Sequence, residues 1–131
     1  MDGNLSGGLS GMTATILVID DDAGLRRALA KALQTAGYRV WTARDGEEAL
    51  DTYAQHTPQA IICDIMMPNM DGVTLFRTLR AQLQAENIPM LIATALPRQA
   101  WFAELEAEGA VFLSKPLNMT LLLQILADLL E

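Results

Sequence analysis

The sequence predicts an α/β fold, a doubly wound sheet of five parallel strands with five helices on its two faces, and three observations predict it. Short unbroken apolar runs rich in β-branched residues recur along the chain, as strands buried on both faces of a parallel sheet require. Stretches with apolar residues at helical spacing alternate with these runs, so each strand is followed by a crossover helix. Two of the runs, Ile16-Leu17-Val18-Ile19 and Ile61-Ile62-Cys63, end in carboxylates, at Asp20-Asp21-Asp22 and at Asp64. Open sheets of this class place their chemistry at that strand edge.

Residues 1 to 12 are Gly/Ser-rich and aperiodic, which predicts a flexible tail or expression remnant ahead of a folded domain over 13 to 131. Residues 14 to 20 read as the first strand. Asp22 is placed to cap a helix running to Ala36, with Leu25, Leu29, Ala32 and Leu33 on one face and Gly37 as its stop. Tyr38 to Ala43 reads as strand two, and a helix from Asp45 to Gln55 turns Ala49, Leu50 and Tyr53 inward. Thr57-Pro58 then breaks the chain before strand three, Ala60 to Asp64.

Beyond the Met67-Pro68 loop, Val73, Leu75, Phe76, Leu79 and Leu83 mark a third helix ending near Ala85. Pro89 introduces strand four, Met90 to Ala93, which stops at Thr94-Ala95. Pro97 sits where a helix would start, and Ala100 to Glu108 continue it as far as Gly109. Val111 to Ser114 is a short fifth strand, closed by Lys115-Pro116 before a last helix over Asn118 to Glu131.

Composition narrows the function classes. With 131 residues, 51% of them hydrophobic, the chain fits one domain with a full core. Its net charge of -7 argues against direct nucleic-acid binding, which needs a basic surface to meet phosphates. No apolar stretch approaches the roughly 18 residues of a membrane span, and no basic segment precedes an apolar one at the start. The lone Cys63 has no internal partner and reads as a small buried hydrophobe. A reducing, cytoplasmic setting is therefore expected.

The polar residues of interest share a location rather than a neighbourhood in sequence. Asp20 and Asp21 follow strand one, Asp64 ends strand three, Thr94 ends strand four and Lys115 ends strand five. A parallel sheet brings all of them to one rim. Clustered carboxylates repel unless a cation neutralises them, and Mg²⁺ suits oxygen ligands while leaving room for a phosphate. A carboxylate at Asp64 can then attack phosphorus to form an acyl phosphate, with Lys115 and the Thr94 hydroxyl holding phosphoryl oxygens. His56, the single histidine, reads as a solvated helix-end residue rather than a phosphate carrier.

In these residues the chain resembles the receiver domains of bacterial two-component response regulators. The resemblance is carried by Ile16 to Asp22, by Asp64-Ile65-Met66-Met67-Pro68-Asn69-Met70-Asp71-Gly72, by Thr94-Ala95 and by Lys115-Pro116. It implies a flavodoxin-like strand order 2-1-3-4-5. It implies a phosphoacceptor switch rather than an enzyme, save for catalysis of its own phosphorylation and dephosphorylation. Asp64 would receive its phosphoryl group from a histidine kinase or phosphotransfer protein. Mg²⁺ would be held by Asp21, Asp64 and the backbone carbonyl of Met66, with Asp20 assisting through water. Thr94 and the aromatic Phe112 would form the switch pair that alters the surface of helix four, strand five and helix five.

Departures from the family pattern carry their own expectations. Gly109-Ala110 runs through Val111 straight to Phe112, one residue shorter than usual, which bears on the geometry of the switch loop. The positions that influence hydrolysis of the acyl phosphate in the family, two after the acceptor and two after the threonine, are Met66 and Leu96. Neither can orient a water, so a slowly decaying phosphorylated state is expected.

The last helix is unusually apolar. Met119, Leu122, Leu123, Leu126, Leu129 and Leu130 form a core stripe, and Leu121 and Ile125 widen the apolar arc to roughly 200°. Helix four, with Trp101-Phe102, a second copy of the chain or an output domain is expected to cover that excess. Two rival functions compete with the switch. A pseudo-receiver, a protein-binding module regulated without phosphorylation, would not need the intact Asp20, Asp21, Asp64, Thr94 and Lys115. A phosphoaspartate-forming hydrolase would need a second acid two residues past the nucleophile, where Met66 stands.

Overall fold

Five parallel strands form a single sheet in the order β2-β1-β3-β4-β5. The structure, a computed structural model, describes residues 13–131; the expected tail over 1–12 lies outside the described residues. In chain order the elements are β1 (Thr15–Ile19), α1 (Ala23–Thr35), β2 (Arg39–Ala43), α2 (Gly46–Gln55) and β3 (Ala60–Asp64). They continue with α3 (Gly72–Glu86), β4 (Met90–Thr94), α4 (Phe102–Ala107), β5 (Ala110–Ser114) and α5 (Met119–Leu130). The fold expected from the sequence is the fold observed.

Alternation along the strands builds two cores. Leu17, Ile19, Ile61, Cys63 and Ile92 point to one face and pack with Ala49 and Tyr53 of α2, Phe76 and Leu79 of α3 and Leu105 of α4. Ile16, Val18, Ile62 and Leu91 point to the other, against Leu33 of α1 and Leu122 and Leu126 of α5. Each fully buried Leu or Ile contributes roughly 1.5–3 kcal/mol. That exceeds any single cap or surface ion pair, so the two apolar faces, not local propensity, hold the sheet in register.

Helix starts are set by side chains at the rim where the strands end. Asp22 accepts from the Leu25 N–H at 3.0 Å, Asp45 from Glu48 at 2.9 Å, Asp71 from Thr74 at 2.7 Å and Asn118 from Leu121 at 3.0 Å. Replacing such a cap by Ala costs about 1 kcal/mol. The helix α4 lacks one. Pro97 does not begin it; Phe102, Ala103 and Glu104 instead donate to carbonyls three residues back, so Gln99 to Trp101 form a tight turn and the helix is shorter than the sequence suggests.

Two other local differences have physical causes. The strand β5 begins at Ala110, one residue earlier than the sequence suggests, because Gly109 with φ 108° makes the turn directly before it. Leu129 does not join the core stripe of α5: it is 41% exposed. It lines open grooves beside Asn87 and Ile88, at the end of the sheet away from the capped helix starts.

Candidate functional site

The pairing register fixes the site. β1 and β3 run side by side with Ile19 opposite Cys63, so Asp20 and Asp64 leave adjacent strands at the same rim. Asp64 lies opposite Ala93, which places Thr94 one residue further along the neighbouring strand, and Thr94 lies opposite Ser114, immediately before Lys115. Carboxylate oxygens of Asp20, Asp21 and Asp64 all lie within 4.8 Å of one another. Lys115 closes the group, its Nζ 3.1 Å from Asp64 Oδ1.

Each member is held by its backbone surroundings. Asp64, 9% exposed, also receives a long hydrogen bond from the Met66 N–H at 3.4 Å. Asp20 accepts from the Asp22 N–H at 2.9 Å through Oδ1, while its carbonyl accepts from Arg26 Nη1 at 2.7 Å. Burial raises the Asp20 pKa above the ordinary carboxylate value; the Asp22 N–H works against that, and nearby Asp64 adds to it. Asp21 is exposed. Thr94 is buried, its Oγ1 accepting from the Leu96 N–H at 2.9 Å and its carbonyl from the Lys115 N–H at 2.8 Å.

This donor set fits a small hard cation. Three carboxylates supply oxygens and one exposed flank admits water and a further ligand, the arrangement Mg²⁺ favours over an all-protein cage. The mutual repulsion and burial that raise the Asp20 pKa are what a divalent cation would relieve.

The remaining residues singled out in the sequence are placed as follows. Met66 and Leu96 flank it, 69% and 43% exposed. Phe112 is half-buried in β5, its ring stacked on Phe102 at 4.1 Å and meeting Trp101 edge-on at 6.1 Å. His56 is away from the centre at the end of α2, stacked on Trp41 at 3.8 Å. Cys63 is fully buried next to Asp64, where burial pushes its thiol far up.

A family model described as the response regulator receiver domain matches residues 16–127. The chain belongs to that family. The receiver domain is 38% identical over 121 residues to the response regulator MprA of Mycobacterium tuberculosis, covering 92% of this chain and 52% of that protein. It thus spans about half the length of the curated relatives it matches. Among solved structures it is similar to the Vibrio cholerae chemotaxis protein CheY4, with TM-score 0.81 and 35% identity over 90% of this chain and 99% of that one. The receiver domain of the hybrid histidine kinase CckA gives TM-score 0.74 at 29% identity, covering 89% and 99%. The receiver domain is thereby a signalling domain of two-component systems.

Sequence reasoning missed Arg26. Its guanidinium reaches back to the Asp20 carbonyl and steadies the turn that presents the acidic pair. The signal was there in its spacing: six residues after Asp20, on the second turn of a helix that starts at the rim.

Proposed function

We propose that this receiver domain is a phosphoacceptor switch in which Asp64 takes a phosphoryl group from a phosphohistidine of a histidine kinase or phosphotransfer protein. The observation that carries the reading is the 3.1 Å approach of Lys115 to an aspartate that shares its rim with two more carboxylates. An Asp64 oxygen attacks phosphorus, a new O–P bond forms, and the P–N bond breaks with its electron pair leaving on the donor imidazole. Asp21, Asp64 and the Met66 carbonyl would hold Mg²⁺, with Asp20 assisting through water. Bound there, Mg²⁺ supplies charge neutralisation for the carboxylates and the transferring group. Lys115 and the Thr94 hydroxyl hold phosphoryl oxygens.

A docking face for the donor belongs to this reading. An apolar cleft of about 570 Å³ lies between α1 and the Lys115-Pro116-Leu117 loop, lined by Leu25, Ala28, Leu29, Leu117 and Met119, with Asp20 and Lys115 at one end. A helix of the donor seated there has its phosphohistidine beside the acceptor.

On phosphorylation Thr94 turns toward the phosphoryl group and Phe112 follows, changing the surface of α4, β5 and α5. That surface suits a second copy of the chain or an output partner: Leu121 is 55% exposed beside a groove formed with Phe112, Leu113, Leu117 and Ile125. Among the described residues no helix is long and apolar enough to cross a membrane, and a cytoplasmic setting, where such kinases present their phosphohistidines, fits the reading.

Incubation with Mg²⁺ and acetyl phosphate tests the function. Intact mass is expected to rise by one phosphoryl group in the natural chain and to stay unchanged in Asp64→Asn; equal labelling of both chains sinks the assignment of the acceptor.

A further inference from the structure

The loop from Ile65 to Asp71 carries the Met66 carbonyl; Gly72 closes it in sequence and Gly46 of α2 lies against its Met70. At its base the Gly72 N–H donates to the Ile65 carbonyl at 3.0 Å, and a Cβ on Gly72 would fall 2.8 Å from the Asp64 carbonyl oxygen. At its tip the Met70 N–H donates to the Pro68 carbonyl at 2.7 Å around Asn69, whose φ is 69°. That is the rare positive-φ γ-turn, a conformation that persists only where neighbours hold it.

The neighbour is Gly46. It is buried at the first position of α2, a helix that contributes no side chain to the acidic centre. A Cβ there would lie 2.7 Å from Met70 Cβ and 3.0 Å from both Cγ and Sδ. The near atom is fixed to the backbone, so rotating the methionine would not relieve the clash. The helix start is also fixed: Asp45 caps the Glu48 N–H at 2.9 Å, and Glu48 Oε1 accepts from the Arg44 N–H at 2.8 Å. Alanine favours a helix more than glycine does, so helix propensity does not account for the residue. The notch it leaves does.

We infer that Gly46 is a positioning residue for the metal site: the space of its missing Cβ seats Met70, and Met70 in turn holds the γ-turn that sets the Met66 carbonyl. The inference rests on the Mg²⁺ reading above. Gly46 touches neither metal nor phosphate. It acts through the loop, and a substitution there shifts the Met66 carbonyl away from Asp64 and Asp21.

Mg²⁺ titration followed by amide NMR shifts, with far-UV circular dichroism as the check on folding, tests this on the full chain. The natural chain is expected to saturate; its failure to bind Mg²⁺ removes the metal reading and this inference together. With binding established, Gly46→Ala is expected to bind about tenfold more weakly, with apo shifts displaced at Ile65 to Gly72. Gly46→Ala/Met70→Gly, which moves the notch to the other partner, is expected to recover most of the affinity. Unchanged affinity in Gly46→Ala, or no recovery in the double variant, overturns the role while leaving the metal site standing. Should Gly46→Ala not fold, Met70→Ala decides: about threefold weaker binding supports the seat, and natural affinity overturns it.

Discussion

Lys115 Nζ lies 3.1 Å from Asp64 Oδ1, the one ion pair among the described residues that joins two strand ends at the acidic rim. Its lysine is 27% and its carboxylate 10% exposed, so water screens it less than the surface pairs Arg44–Glu48 and Arg80–Glu108. Lys115→Met is expected to lower acetyl-phosphate labelling of Asp64 by at least tenfold, read by intact mass over time. Labelling at the natural rate would show that the ammonium does not assist transfer.

Asp20 gives the rim a pH signature. Its folded pKa is raised above 3.8 by burial, so it contributes stability below pH 3.8 that is lost as pH rises through the raised value. At neutral pH the ionised group is therefore a cost. Without Mg²⁺, Asp20→Asn is expected to raise Tm at pH 7 by a few degrees, with the gain shrinking toward pH 3. A lower Tm at pH 7 contradicts this.

Cation binding should offset the same cost. Mg²⁺ at about 100 times its Kd adds about 2.7 kcal/mol to unfolding. Urea melts with and without Mg²⁺ are expected to show such an increment in the natural chain and to lose it in Asp21→Asn. An equal increment in both chains rules Asp21 out as a ligand.

The persistence of the phosphorylated state is expected to follow the apolar pair at the rim. Met66 and Leu96 are exposed and neither orients water toward phosphorus. Met66→Asn is expected to speed loss of the phosphoryl group about tenfold, a change of about 1.4 kcal/mol in barrier, measured by mass or phosphorus NMR. Slower loss in Met66→Asn contradicts the reading.

Trp101 stands edge-on to Phe112 at 6.1 Å, close enough to report on the proposed switch aromatic. In a Trp41→Phe background, beryllofluoride with Mg²⁺ is expected to shift Trp101 emission, and Thr94→Ala is expected to abolish the shift while leaving labelling of Asp64 measurable. A full shift in Thr94→Ala would uncouple Phe112 from Thr94.

The sequence made the sheet and the rim legible for a definite reason. Ile16 to Ile19 and Ala60 to Asp64 are buried on both faces, so their apolar runs could belong only to central parallel strands, and their terminal carboxylates had to emerge together. Asp22 likewise announced a helix start, while the caps at Asp45, Asp71 and Asn118 became evident only from their hydrogen bonds. What stayed hidden depends on distances between elements. The tight turn at Gln99 to Trp101 carries no punctuating residue of its own, and Pro97 suggested an earlier start. Leu129 shares the periodicity of its buried neighbours, but the sheet does not extend beneath it. The Gly46–Met70 seat joins a helix start to a distant loop, a relation that no single-segment pattern contains.

Cys63 turns the central strand into an internal clock. The sole thiol of the chain is fully buried directly before Asp64, and a protonated, shielded sulfur reacts with an alkylating reagent only when the strand opens. The rate at which this single adduct accumulates therefore reports the opening of the segment that presents Asp64. Adduct and phosphoryl group differ in mass, so a time course of intact-mass spectra separates the breathing of that segment from its expected phosphorylation.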